Sequence, residues 1–273
     1  MILTQTKKNV EVSDDFEQQS FSIQADAASF NILSSKVYTH KVRAVVRELS
    51  CNAYDSHIDA GNPDPIEVHL PSTLEPWFAV KDFGIGLSHE DCMDLYTTYF
   101  KSTKRDNNDV TGCLGIGSKS FYCLVDSATI TSVFNGEKRI YTAFKDENDL
   151  PQMACLSSEE TEEPNGLEIS MSVENRISEF SEEAVNVYQH FDVVPHINSS
   201  DVVAKIEQAK DRDTIRHDDF CVSSGYGNMY AVMGRVAYLI PSEYNNTCFS
   251  GVVKFDMGEI DFEAGRETLS MTD

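Results

Sequence analysis

The sequence predicts an α+β sandwich, in which helices are interleaved with a largely antiparallel sheet. Three observations carry that expectation. Residues 39–60 place Val42, Val45, Val46, Leu49, Ala53 and Tyr54 at helical spacing. Four strand-like runs follow one another between residues 127 and 173 with turns between them. A second amphipathic segment, SEEAVNVYQHF at 181–191, comes after them. The 273 residues suit one sizeable domain, or one domain with a smaller appendage.

Taken in order, the opening residues alternate weakly and end in FSIQ (21–24), an expected strand or hairpin, and ADAASFNILSS then reads as a short helix. The long helix over 39–60 is stopped by Gly61, Asn62 and Pro63. IEVHL (66–70) and WFAVKDF (77–83) read as strands joined by a PSTLEP turn. A short helix begins at Ser88, whose hydroxyl can cap it, with His89, Glu90 and Asp91 in the first turn. Residues 96–111 are polar and aperiodic, a loop that runs into GCLGIGSKSFYCLV (112–125), a Gly-rich turn opening a helix. Strands follow at SATITSVF (127–134), KRIYTAF (138–144), PQMACL (151–156) and LEISMSV (167–173), with an acidic tract SSEETEEPNG at 157–166. Beyond residue 195, strands are expected at NMYAVMGRVAYLI and GVVKFDM. The chain therefore divides into a first domain over 1–194, with an N-terminal hairpin, and a C-terminal segment over 195–273.

Charge narrows the range of partners. Asp plus Glu number 45 against 22 Lys plus Arg, a net charge of −23. A field of that sign repels nucleic acid and anionic lipid at long range, so this chain alone is a poor clamp for DNA or RNA. The seven cysteines are odd in number and never spaced C-x-x-C, which points to free thiols in a reducing compartment. The N-terminus lacks an apolar stretch long enough for a signal peptide, and no transmembrane run occurs, so a cytoplasmic location is expected. His89-Glu90-Asp91 lacks H-E-x-x-H spacing and no G-x-S-x-G occurs, which argues against metalloprotease and serine hydrolase chemistry.

Three constellations carry chemistry. Glu48, Asn52 and Asp55, at offsets of four and three, share one face of the long helix. Three polar residues on a helix are usually a solvated stripe, but two carboxylates and an amide oxygen could also hold magnesium. In KDFGIGLS (81–88), Asp82 ends a strand and Gly84 and Gly86 follow. A strand-end carboxylate beside bare backbone can accept from an exocyclic amine, or the motif can be a plain turn. Third, Gly112, Gly115 and Gly117 lead into Ser118, Lys119 and Ser120 at a helix start, where free N–H groups and a lysine favour phosphate. The spacing matches neither a P-loop nor a dinucleotide fingerprint.

Each motif alone is weak; their order is specific. ELSCNAYD, DFGIG and GCLGIGSKS resemble, in sequence order, the E-x-x-x-N-x-x-D, D-x-G-x-G and G-x-x-G-x-G motifs of the GHKL family of ATPases (gyrase, heat-shock chaperone, histidine kinase and MutL). The resemblance implies a two-layer sandwich, with helices on one face of a mixed, largely antiparallel sheet, ATP between the layers, and magnesium as cofactor. It implies Glu48 as general base, Asn52 on the magnesium, Asp82 on the adenine amino group, and Gly84 and Gly86 lining the base pocket. Residues 96–117 become a lid over ATP, with Gly115, Gly117, Ser118 and Lys119 at the phosphates. The family's usual Gly-Thr pair is here Gly166-Leu167, so the hydroxyl that supports the adenine contact is absent. KFDMGEIDFEAGRETLSMTD (254–273) resembles the start of the second domain of the heat-shock chaperone branch, which implies that Arg266 reaches the ATP γ-phosphate.

Segments 34–49, 81–88, 99–104, 112–121 and 265–270 further resemble the rIIA-like family of phage lysis-inhibition proteins. That family is longer, so the chain reads as a short version or a fragment. The setting implied is the cytoplasm of an infected bacterium, with peripheral membrane association through partners. Related folds dimerise through N-terminal segments, which makes residues 1–24 candidates for a homodimer contact. Beside an ATPase that switches a partner or dimer surface stand two alternatives. One is a non-hydrolysing ATP-sensing scaffold; the other is an acidic interaction protein acting on a host factor.

Overall fold

The computed structural model describes residues 26–99, 115–211, 215–225, 227–244, 248–263 and 265–270. Helix α1 (Ala27–Asn31) is capped by Asp26, which accepts from the Ser29 amide at 2.8 Å, and continues as a π-turn over Ile32–Lys36. The central helix α2 (Lys41–Ala60) ends at Gly61, whose φ of 65° lets its amide turn back to the carbonyls of His57 and Ile58. Strands β1 (Glu67–His69) and β2 (Trp77–Lys81) precede α3 (His89–Thr97), whose Ser88 cap accepts from the Asp91 amide. The segment after the Gly-rich turn is a 3-10 helix, Gly117–Cys123, tighter than the α-helix expected there.

Strands β3 (Ser127–Phe134), β4 (Glu137–Lys145), β5 (Pro151–Glu160) and β6 (Gly166–Ser172) come next, then α4 (Ile177–Tyr188). The acidic tract is thus partly strand, because β5 runs on to Glu160 opposite Glu137 of β4. Four elements were not legible in the pattern: β7 (His196–Ile197), α5 (Ser200–Lys210), β8 (Ile215–Arg216) and β9 (Phe220–Ser224). The remainder is β10 (Met229–Met233), β11 (Val236–Leu239) and β12 (Phe249–Phe255).

The larger sheet has the order β5-β4-β3-β6-β2-β1-β7, antiparallel throughout except for the short parallel β1–β7 pair. Burial alternates along β3, with Ala128 and Ile130 inward, so one face of the sheet is packed. Helices α2 and α4 meet each other there, and Phe78 of β2 lies 4.7 Å, ring to ring, from Phe180 of α4. Helix α5 packs on α4, and β7 joins the large sheet beyond residue 195. The smaller sheet, β11-β10-β12-β9-β8, is antiparallel apart from the β10–β12 pair. The architecture is the α+β arrangement of mixed, largely antiparallel sheets with helices that the sequence predicts.

Helix α2 is the element that positions everything else. Its apolar residues Val42, Val45, Val46 and Leu49 are buried, and so are Arg47, Glu48, Ser50, Asp55 and His57. Glu48 and Asp55 therefore do not belong to a solvated stripe, whereas Asn52 between them is half-buried.

Candidate functional site

The first cluster surrounds Glu48, which is 4% exposed. Its Oε1 accepts from Arg47 Nε at 3.1 Å, and its Oε2 lies 3.2 Å from Arg266 Nη1, a residue 218 positions away. Burial pushes the Glu48 carboxyl up, but the Arg266 and Arg47 guanidiniums outweigh it and hold the group below the ordinary carboxylate range. Arg266 is itself 5% exposed, its guanidinium 5.6 Å above the Phe262 ring, and its Nε makes no hydrogen bond. Its backbone sits at φ 54°, a left-handed conformation that non-glycine residues rarely adopt.

Neighbouring contacts hold that conformation in place. Arg47 Nη2 donates to the Gly265 carbonyl at 2.7 Å, and Glu267 accepts from the Thr39 and His40 amides, both at 2.8 Å, at the entry to α2. The Glu267 carboxylate thus takes up backbone donors that a helix start leaves free. Gly117 closes the cluster from the other side: a Cβ there would run into Glu48 Oε2.

The second cluster surrounds Asp82, 3% exposed at the end of β2. Its amide donates to the Leu167 carbonyl at 2.9 Å, and its Oδ1 accepts from the Gly84 amide at 2.9 Å. Burial raises the Asp82 carboxyl to about 6, against the opposing hydrogen bonds from Gly84 and Ser56. Gly86, at φ 69°, lies against the Val133 carbonyl, and Gly166 against the Asp82 carbonyl. The strand position of the expected Gly-Thr pair is thus beside Asp82, with Leu167 in the place of the hydroxyl.

The remaining sequence candidates divide. Asn52 is half-buried, one helical turn from Glu48 on the same side of α2. Asp55 is fully buried, with its Oδ1 3.9 Å from Arg235 Nη1, and that guanidinium stacks 4.7 Å from the Tyr54 ring. Asp55 is therefore turned to the β10–β11 turn of the smaller sheet. Lys119 is 1% exposed; its Nζ donates to the Gly115 carbonyl and the Ser118 hydroxyl, both at 3.2 Å, and lies 5.3 Å above the Tyr99 ring. Burial pushes its ammonium down to about 8, with Asp94 pulling the other way. Gly112, most of the expected lid, and residues 1–24 lie outside the described residues.

Sequence reasoning missed Arg47, Ser56, His57, Arg235 and Glu267. Arg47 had only its adjacency to Glu48 as a signal. Ser56 stands eight residues after Glu48 and four after Asn52, which places the three in one row along α2.

No family model and no curated protein sequence matches the chain. Solved structures do. The ATPase region of Saccharomyces cerevisiae topoisomerase II is similar over 83% of this chain and 76% of that one, with a TM-score of 0.58 at 12% identity. The same region bound to ICRF-187 (dexrazoxane) is similar over 84% and 77%, with TM-score 0.58 and 12% identity. The chain shares the fold of those structures.

The contact between Gly117 and Glu48 gives a direct test of the first cluster. Gly117→Ala should cost about 1–3 kcal/mol, because the added methyl must displace a carboxylate held by two arginines. Chemical denaturation of the variant beside the parent measures it, and an unchanged midpoint would mean the helix start does not pack on Glu48.

Proposed function

We propose that the chain is a magnesium-dependent ATP-binding protein that hydrolyses ATP to ADP and phosphate. Its closure on the nucleotide switches a partner or dimer surface. The observation that carries this reading is the pairing of two buried carboxylates of opposite character along one helix. Glu48 sits among arginines at one point of α2, and Asp82 beside a glycine turn lies at its far end. Eight residues of helix span about 12 Å, a distance that a nucleoside triphosphate bridges. The fold shared with the ATPase region of topoisomerase II supports the same reading.

In this reading Asp82, as carboxylate, accepts from the exocyclic amine of adenine, and Gly84 and Gly86 leave room for the base. Lys119, with Ser118 and the Gly115 and Gly117 backbone, meets the phosphates. Among the described residues no cluster of three His, Cys, Asp or Glu could hold a metal. Magnesium keeps most of its waters and takes few protein ligands. Asn52 would hold it through the amide oxygen, and the ion would neutralise phosphate charge.

Glu48 is the base for the attacking water, but while both arginines grip it the carboxylate is a weak base. A triphosphate offers Arg266 more negative charge than Glu48 does. Exchange of Arg266 from Glu48 to the γ-phosphate would free Oε2 and put a cation where charge develops. The doubly paired Glu48 also favours a second reading, a scaffold that senses ATP without hydrolysing it. The resemblance to rIIA-like proteins supports the cytoplasm of an infected bacterium as the setting. No described helix is long and apolar enough to cross a membrane. The proposed division into an ATP-binding domain over 1–194 and a C-terminal segment over 195–273 rests on the sequence pattern; β7 pairs with β1 and α5 packs on α4.

Calorimetry with magnesium present tests the proposal. Asp82→Ala should weaken ATP binding roughly 10- to 150-fold, about 1.5–3 kcal/mol. Glu48→Ala should keep ATP binding and stop phosphate release. An Asp82→Ala protein that binds ATP like the parent would sink the ATP reading, whereas tight binding without release in the parent selects the scaffold.

The raised carboxyl of Asp82 adds a pH signature. Below about 6 the group takes up a proton and ceases to be a full acceptor, so ATP affinity should fall as pH drops through that value. Dividing the parent's affinity by that of Asp82→Asn at each pH cancels titration of the phosphates. The quotient should shrink toward acid, and a flat quotient would show that ionisation of Asp82 is irrelevant to binding.

A further inference from the structure

Lys119 is almost sealed from water, and both of its hydrogen-bond acceptors, the Gly115 carbonyl and the Ser118 hydroxyl, are neutral. A lysine is a compact, strongly hydrated charge that is rarely buried without an anionic partner. An ammonium has three N–H groups, and these two oxygens take two of them. What else covers the charge is the ring of Tyr99, with Nζ 5.3 Å above its centroid.

Tyr99 stands two residues beyond the end of α3. Phe30 of α1 braces its ring edge-on, with centroids 5.8 Å apart, and meets Tyr122 in the same way at 5.3 Å. Phe30 is buried, so the ring is backed by the core. The Tyr99 hydroxyl is buried and makes no hydrogen bond. A tyrosine that merely filled space would send that polar tip to water or to a partner. Tyr99 therefore acts on Lys119 through its ring face, whose negative charge density attracts a cation.

We propose that Tyr99 is the positioning residue of the phosphate end, its ring holding the Lys119 ammonium over the Gly-rich turn with one N–H left for the triphosphate. The inference rests on the ATP-binding reading above. A carboxylate in the place of Tyr99 would cancel the lysine's charge and compete with phosphate for it, as Glu48 competes for Arg266. A ring attracts the ammonium yet leaves its net charge in place. An arriving phosphate then meets a cation already oriented and not neutralised.

Tyr99→Leu keeps apolar bulk at this half-buried position and removes the ring. Calorimetry with magnesium should find its ATP affinity lowered about 3- to 10-fold. Tyr99→Phe should restore it, because the hydroxyl makes no bond. The pH profile adds a readout that a space-filling side chain would not move. Burial pushes the Lys119 ammonium down to about 8, while Asp94 of α3 favours its charged form. Burial keeps the Tyr99 and Tyr122 hydroxyls protonated in this range, and Glu48, which faces Gly117 from α2, is held ionised by its arginines. The parent's affinity should therefore fall as pH rises through about 8, where Lys119 loses its charge. Without the ring the charged form loses support, so this midpoint should move down in Tyr99→Leu and return in Tyr99→Phe. If Tyr99→Leu keeps the parent's affinity and midpoint while Lys119→Met loses ATP, this inference is overturned and the ATP reading stands. Equal losses in Tyr99→Leu and Tyr99→Phe, with the midpoint unmoved, overturn it too. A Lys119→Met protein that binds ATP like the parent overturns it as well, and if Asp82→Ala does the same the ATP reading falls with it.

Discussion

Helix α2 is buried on nearly every side although it carries Arg47, Glu48, Ser50, Asp55 and His57, and that constraint organises the rest of the molecule. An uncompensated buried charge costs several kcal/mol, so each of these groups must find a partner away from water. The partners come from segments far apart in sequence. Arg266 answers Glu48, the Gly265 carbonyl answers Arg47, Arg235 approaches Asp55, and the Tyr188 hydroxyl, at 2.9 Å, answers Ser50. Two of these partners, Arg235 and Arg266, lie in or beside the smaller sheet. The segment at residues 265–270 is tied to β11 by the Leu239–Thr268 bridge. The packing of one helix thus recruits both sheets.

The same constraint sets the two carboxylates apart. Glu48 and Asp82 are equally hidden from solvent, yet one titrates below its ordinary range and the other above it. The difference is the two guanidiniums that touch Glu48. At Asp82 the Gly84 amide, with smaller contributions from Ser56, His57 and the Leu167 backbone, offsets only part of the burial cost. A carboxylate saturated by arginines resists protonation, and one held by neutral donors stays responsive near pH 6. These environments, more than the identity of the residues, separate a group suited to developing charge from one suited to hydrogen-bond readout.

Much of this was legible in the sequence, for identifiable reasons. The 3.6-residue spacing from Val42 to Tyr54 fixed α2, and Gly61 fixed its end. The β-rich runs from 127 to 173 appeared as β3 to β6 because alternation and turn residues agree there. Helix α5 was missed because only Val202 and Ile206 are buried on it, too few apolar positions to mark a period. Strands β7 and β8 are two residues long and exist only through their pairing. At the site, helical spacing cannot separate Asp55 from Ser56. Both fall near the Glu48–Asn52 face, and the approach of Arg235 turns Asp55 away while Ser56 closes on Gly84. The pairing of Glu48 with Arg266 depends on a contact across 218 residues that no local pattern encodes.

Arg266 adds a last consequence. A non-glycine residue at positive φ persists only where its surroundings over-determine it. Here Glu267 on the α2 amides, Gly265 against the Val37 carbonyl and Arg47 on the Gly265 carbonyl supply that excess of constraint. The backbone around Arg266 is held by contacts that do not involve its guanidinium, so the side chain can change partners without releasing the segment. The Glu48 ion pair and the docking of the turn are thus separable, which is the property a switch between a carboxylate and a phosphate requires.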